Sequence, residues 1–105
     1  MSRVPNPNPR TVEFGLIGGR PAVRGDCDIV NAARIERWLA RRGAAAVEID
    51  LSGVTFFDSA GLLVFLRAVR RNPDLRVVDP SAPVRRVLDL TDTADYLVHG
   101  RDLFE

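Results

Sequence analysis

From Thr11 onward the chain alternates apolar and polar positions. Val12, Phe14 and Leu16 are interleaved with Glu13 and Gly15, the two-residue period of a strand with one buried face. Gly18-Gly19 follows, and Pro21 to Arg24 offers a return strand, so a hairpin is predicted. Pro21 has no N–H to donate, which limits it to a strand start or an unpaired side. The period then changes. Ala32, Ile35, Trp38 and Leu39 recur at helical spacing while Arg34, Glu36, Arg37 and Arg41 face elsewhere, which predicts an amphipathic helix. Asp28 or Asn31 is placed to cap its start, and Gly43 fits the residue just past its end.

Val47, Ile49 and Leu51 share one face of a further strand. Gly53 to Phe57 reads as a turn with a short extended piece. A second helix is expected from Ser59, with Leu62, Phe65, Leu66 and Val69 on one stripe and Arg67, Arg70 and Arg71 solvated. Asn72-Pro73 stops it, because the residue before proline disfavours helical backbone. Leu75 to Val78 is another short strand. Ser81 caps a third helix with Pro83 in its first turn; Val84, Val87 and Leu88 face inward and Arg85, Arg86 and Asp89 outward. Thr91 to Glu105 fits either a short helix or a strand around Tyr96 to Val98. The order β-β-α-β-α-β-α is an α/β pattern, in which strand–helix–strand units pair in parallel. The opening hairpin adds an antiparallel strand, so a mixed, mostly parallel sheet of 4–5 strands packed by 3–5 helices is expected. Residues 1–10, with prolines at 5, 7 and 9, read as a flexible Pro/Asn-rich tail, leaving 11–105 as one domain.

Composition narrows the chemistry. A chain of 105 residues has no room for two cores. The net charge is +1, from 15 basic and 14 acidic groups, too balanced for a dedicated nucleic-acid binder. No apolar run reaches the roughly 20 residues of a membrane span, and the N-terminus lacks the layout of a secretory signal. The single cysteine, Cys27, excludes an internal disulfide, and its presence alone fits a reducing cytoplasm. All 15 basic residues are arginine. The absence of lysine removes P-loop and Schiff-base chemistry, and the one histidine, His99, removes any two-histidine metal site. No cofactor is expected.

The stretch from Val47 to Leu66 carries the most information. A strand delivers the chain to a turn, and Ser59 stands where a helix begins, at the edge of the sheet where α/β folds place their sites. A helix N-terminus offers free N–H groups and partial positive charge to an anion on Ser59. Asp58 is adjacent and Asp28 is expected at the same edge. A phosphate of about −2 beside carboxylates would repel them and any close-packed partner. The plain alternative is that Ser59 is an ordinary N-cap worth about 1 kcal/mol, with Asp28, Asp50 and Asp58 bonding nearby backbone N–H groups. Gly61 in the first helical turn costs stability relative to alanine, which implies close approach of a strand or a partner. A serine hydrolase fails on detail: the elbow motif wants glycine two before the serine, where Phe57 stands, and His99 is the sole available base. A magnesium site of Asp26, Asp28 and Asp58, or a phospho-aspartate receiver on Asp58, competes poorly with solvated or capping carboxylates, and the receiver would want a lysine. Arg34, Arg37 and Arg41 read as a solvated face, with phosphate or RNA binding the lesser alternative at a net charge of +1, Cys27 as a small buried hydrophobe, and Trp38 as core.

Asp50-Leu51-Ser52-Gly53-Val54-Thr55-Phe56-Phe57-Asp58-Ser59-Ala60-Gly61-Leu62 strongly resembles the signature of STAS domains, specifically bacterial anti-sigma factor antagonists. Gly25-Asp26-Cys27-Asp28 resembles the family's turn before the first helix, and Pro80 to Thr91 resembles its third-helix segment. The resemblance implies a STAS-like fold and a cytoplasmic, non-enzymatic partner switch. Ser59 would be the phosphoacceptor of an anti-sigma factor serine kinase with a histidine-kinase-like ATPase fold. The unphosphorylated form would bind that kinase and free its sigma factor, phosphorylation would end the binding, and a serine phosphatase would restore it. Asp28 and Asp58 would form the acidic surroundings, and Ala60, Gly61, Leu62 and Leu63 would complete the partner-binding surface. Leu63 stands where the family often has glycine, which alters the contact surface, and Asp92 replaces a frequent glycine after Thr91. No nucleic-acid or membrane partner is implied, and a monomer or weak dimer is expected. A second use of the same fold is a scaffold without a phosphoswitch, in a stress-sensing assembly or bound to a lipid-transport ATPase.

Overall fold

The computed structural model describes residues 11–42 and 47–101; the expected tail at 1–10 and the expected helix stop at Gly43 lie outside them. Four strands form one sheet in the order β1-β2-β3-β4: β1 (Val12–Ile17), β2 (Arg20–Cys27), β3 (Glu48–Phe57) and β4 (Arg76–Val78). The first pair is antiparallel, with Phe14 opposite Val23 and Ile17 opposite Arg20. The β2–β3 and β3–β4 pairs are parallel. Gly18 and Gly19 both take positive φ, the backbone that a tight hairpin demands and glycine adopts without strain. Four helices complete the described residues: α1 (Ala32–Arg41), α2 (Ser59–Arg71), α3 (Ala82–Thr91) and α4 (Ala94–Leu97). The mixed sheet with an antiparallel first pair is the expected architecture, and in the described part of the ambiguous C-terminal stretch, up to residue 101, the short helix α4 stands in place of a strand.

Register assigns the two faces of the sheet. Ile49 pairs with Val77, and with Val23, Leu51, Val54 and Phe57 they belong to one apolar cluster that also holds Ile35, Leu39, Phe65, Leu88 and Leu97 from the helices. Side chains alternate along a strand, so the opposite face carries Glu13, Arg20, Arg24, Asp50 and Arg76. Asp50 is nevertheless only 1% exposed. Its Oδ1 accepts hydrogen bonds from the Ser52 N–H (2.8 Å) and hydroxyl (2.6 Å). Its Oδ2 accepts from Arg20 at 3.0 Å, and the same guanidinium group donates to Asp79 at 2.6 Å. Burial pushes the Asp50 carboxyl up, but the bonds from Ser52 and Arg20 outweigh it and hold the group below the usual aspartate value. A depressed folded pKa stabilises the fold above the unfolded value near 4, and that contribution is lost as pH falls through the lower folded value. Denaturant titrations across the acid range should therefore show Asp50→Asn losing less stability than the native chain below about pH 4. Equal acid sensitivity of the two would contradict this assignment.

Three local expectations are corrected. The segment Gly53–Phe57, read as a turn and a short piece, continues β3 as one ten-residue strand. Register shifts between Ala22 and Arg24, and between Gly25 and Asp26, absorb the irregularity that its sequence suggested. Arg24 crosses Gly53, where a Cβ would lie 2.7 Å from its Cγ, so that glycine marks a close crossing inside the strand. Ser81 is the N-cap residue of α3 but makes no capping bond with its side chain. Trp38 is half-buried and stacks on Phe14, ring centroids 4.9 Å apart, at the margin of the core where β1 ends the sheet.

Candidate functional site

The parallel strands β2 and β3 finish side by side, with Asp26 opposite Phe56 and Cys27 opposite Phe57. Both chains then turn into helices from the same edge. After β2, the Asp28 Oδ1 accepts the Asn31 N–H at 3.0 Å, and Asn31 donates its side-chain amide to the Asp26 carbonyl at 3.0 Å. The two residues thus tie the turn together. Asn31 is the N-cap residue of α1 without a side-chain capping bond of its own. Asp26 accepts a hydrogen bond from the Thr55 hydroxyl at 3.1 Å, which locks the two strand ends.

After β3, Asp58 caps α2. Its Oδ1 accepts from the Ala60 N–H (2.9 Å) and the Gly61 N–H (3.1 Å), using two of the donors that every helix start leaves unpaired. The reading of Ser59 as the N-cap is therefore corrected: Asp58 holds that role, and Ser59 is the first helical residue, with its hydroxyl not committed to capping. Ser59 is exposed. Gly61 is buried, and an added Cβ there would collide with the Cys27 carbonyl oxygen and come within 3.0 Å of the Cys27 Cβ. The close approach inferred from Gly61 is thus to the end of β2. It lets α2 begin directly against the strand, and the Asp58 N–H donates to that same carbonyl at 3.3 Å.

Cys27 lies fully buried at the junction. Burial pushes its thiol up to about 12, with further upward contributions from the charges of Asp28, Asp26 and Asp58. Three carboxylates thus act on one point at this edge. A thiol so far above neutral pH supplies almost no thiolate. A disulfide reagent at about pH 8 should leave Cys27 unmodified in the native chain and label it on unfolding in urea. Rapid labelling without denaturant would show that the junction opens. Among the described residues no group of three or more His, Cys, Asp or Glu could hold a metal ion, so Asp26, Asp28 and Asp58 do not assemble the magnesium site considered from sequence.

The residues singled out at this site divide by exposure. Ser59 and Leu63 are exposed, Asp58 and Ala60 are half-buried, and Asp28, Gly61 and Leu62 are buried. Ser59 and Leu63 lie one turn apart on α2 and so share a face. The buried three shape the edge instead of presenting side chains to solvent. Sequence reading missed three exposed apolar residues here: Ile29 (74%), Val30 (56%) and Phe56 (47%). A signal existed for each. Two consecutive β-branched residues in a turn cannot both face a core, and of the adjacent Phe56 and Phe57 on a strand one must point outward.

A family model for the STAS domain matches residues 17–105, the greater part of the chain and the whole of the edge described above. The chain belongs to the STAS domain family. Among solved structures, the crystal structure of an anti-sigma factor antagonist from Mycobacterium paratuberculosis is similar to this STAS domain, with a TM-score of 0.68 and 24% sequence identity over 90% of this chain and 87% of that one. At that identity the likeness establishes the shared fold. No helix among the described residues is long and apolar enough to cross a membrane.

Proposed function

We propose that this STAS domain is an anti-sigma factor antagonist that works by partner switching in the cytoplasm, without catalysis of its own. In this reading it binds an anti-sigma factor serine kinase of the histidine-kinase-like ATPase type and releases it when Ser59 is phosphorylated. The γ-phosphoryl of ATP passes to the Ser59 Oγ, the hydroxyl proton is lost and ADP leaves; a serine phosphatase reverses the modification by hydrolysis. The observation that carries this reading is the state of one hydroxyl. Ser59 is the exposed first residue of α2, relieved of capping by Asp58 and flanked by exposed apolar groups suited to a protein partner.

The electrostatics agree. A phosphate brings about −2 charge and a strongly hydrated group to the edge that already holds Asp26, Asp28 and Asp58. Helix α2 itself tolerates that charge, because its N-terminus carries partial positive charge. The penalty therefore falls on the complex, in which a dianion would have to be desolvated against a packed surface. Asp28 and Asp58 set the local potential, Gly61 and Leu62 fix the path of α2, and Ala60 and Leu63 present contact area. The test is incubation with the candidate kinase and ATP, followed by mapping of any phosphate by mass spectrometry. Phosphate on Ser59 supports the switch. A chain that binds its partner and is never modified is a scaffold.

A further inference from the structure

A second surface stands apart from the Ser59 edge. Along α1, Arg34, Arg37 and Arg41 recur at i, i+3 and i+7 and lie on one exposed stripe, followed by exposed Arg42. None of the four has a carboxylate partner among the described residues. The one acidic residue of α1, Glu36, turns the other way, toward Arg67 (3.8 Å) and Arg71 (3.6 Å) of α2. Like charges at these spacings destabilise a helix. The helix dipole compensates Arg41 and Arg42 in the last turn, but not Arg34 and Arg37. The arginines frame an aromatic floor. Phe14 and Trp38 stack at 4.9 Å and 16°, with the Arg34 guanidinium 5.9 Å from the Phe14 centroid and that of Arg42 5.4 Å from the Trp38 centroid. A cavity of about 200 Å³ is lined by Phe14, Arg34, Arg37, Trp38 and Arg41 and by no acidic group.

We infer that this face of α1 is a docking surface for an acidic segment of a protein partner, with carboxylates meeting the arginines and an apolar side chain seated on the Phe14–Trp38 floor. Arginine and tryptophan are the residue types that anchor protein interfaces, and guanidinium groups pair with carboxylates in a bidentate manner. The arginines follow one another about 5–6 Å apart, the spacing of carboxylates on one face of an acidic helix. Charge decides against nucleic acid as the occupant: a chain of net charge +1 lacks the excess positive field that gathers a polyanion at physiological salt. The inference is independent of the Ser59 reading, because α1 carries this surface whether or not Ser59 is modified.

Trp38 is the only tryptophan, so its fluorescence reports on this surface directly. Titration with poly-L-glutamate should give a saturable change in Trp38 emission that weakens with added salt. The triple variant Arg34→Glu/Arg37→Glu/Arg41→Glu should lose at least about tenfold in affinity. Arg34→Gln/Arg37→Gln/Arg41→Gln should show the same loss without charge reversal, and gives the answer if the glutamate triple does not fold. Arg85→Glu/Arg86→Glu on α3 should bind as the native chain does, and so should Ser59→Asp, which separates this surface from the switch. The inference is overturned if no saturable change occurs, if neither α1 triple weakens binding, if the α3 variant weakens it equally, or if an oligothymidylate of matched charge binds more tightly at the same salt.

Discussion

Gly61→Val is expected to destabilise the fold by about 3 kcal/mol, near the top of the range for overpacked interiors. Glycine at this position leaves no side chain between the first turn of α2 and the end of β2, where a Cβ would meet the Cys27 carbonyl oxygen. That carbonyl also accepts the Asp58 N–H, so it cannot turn away without breaking the cap region. Either α2 shifts outward or β2 bends, and both are fixed by the pairing of Cys27 with Phe57. For a domain of this size the effect corresponds to a melting temperature lower by roughly 10–20 °C. Gly61→Ala should fall in between, because a gain of about 1 kcal/mol in helix propensity offsets part of the same collision. Thermal melts read both. A Gly61→Ala chain more stable than the native one would show that α2 does not press on β2 as described.

Ser59→Asp is expected to leave the fold intact, or to stabilise it slightly, and to weaken binding of the proposed anti-sigma partner at least tenfold, about 1.4 kcal/mol. The opposite signs are the informative part. A carboxylate in the first turn of α2 interacts favourably with the helix N-terminus, by about 0.3–1 kcal/mol. The same carboxylate in a complex must give up water next to the half-buried Asp58 and against the partner. Ser59→Ala removes only an exposed hydroxyl, so its effect on stability should stay within about 0.5 kcal/mol and its binding close to native. Urea melts and titration calorimetry on the two variants separate these effects. Equal affinity of Ser59→Asp and Ser59→Ala would remove the electrostatic basis of the switch.

Much of this architecture was legible in the residue pattern because local physics and tertiary packing agree. The Gly18-Gly19 turn and the helical stripe of α2 point to the elements observed; the alternation at Val12, Phe14 and Leu16 locates β1, but its buried face holds only as far as Phe14, because Leu16 is exposed toward the hairpin turn. The failures have specific causes. Gly53 reads as a break in β3 because glycine is a turn signal; parallel pairing with β2 and the crossing Arg24 side chain override that local preference. The sequence alone does not separate Ser59 from Asp58 as the cap of α2, because both residue types cap well and only the backbone geometry distinguishes them. Asp50 became a buried anchor through Arg20 and Asp79, which lie 30 and 29 positions away in the chain and meet only in the folded sheet. Asp92 shows the reverse case. It adopts a left-handed backbone, φ 55°, at the end of α3, and this explains why the family's frequent glycine suits the position. At the candidate site, the strand–turn–helix order places Asp58, Ser59 and Gly61 together at the start of α2, where the structure has them. The exposure of the flanking Ile29, Val30 and Phe56 follows from the paths of two separate strands, which the local pattern does not encode.

The decisive measurement is the affinity of the proposed anti-sigma kinase, once purified, for this domain before and after enzymatic phosphorylation. Site occupancy would be verified by mass spectrometry and binding measured by calorimetry in the presence of ADP. Phosphate on Ser59 and loss of measurable binding in the modified form are expected, with recovery after phosphatase treatment. Undiminished affinity of fully Ser59-phosphorylated protein would contradict the switch.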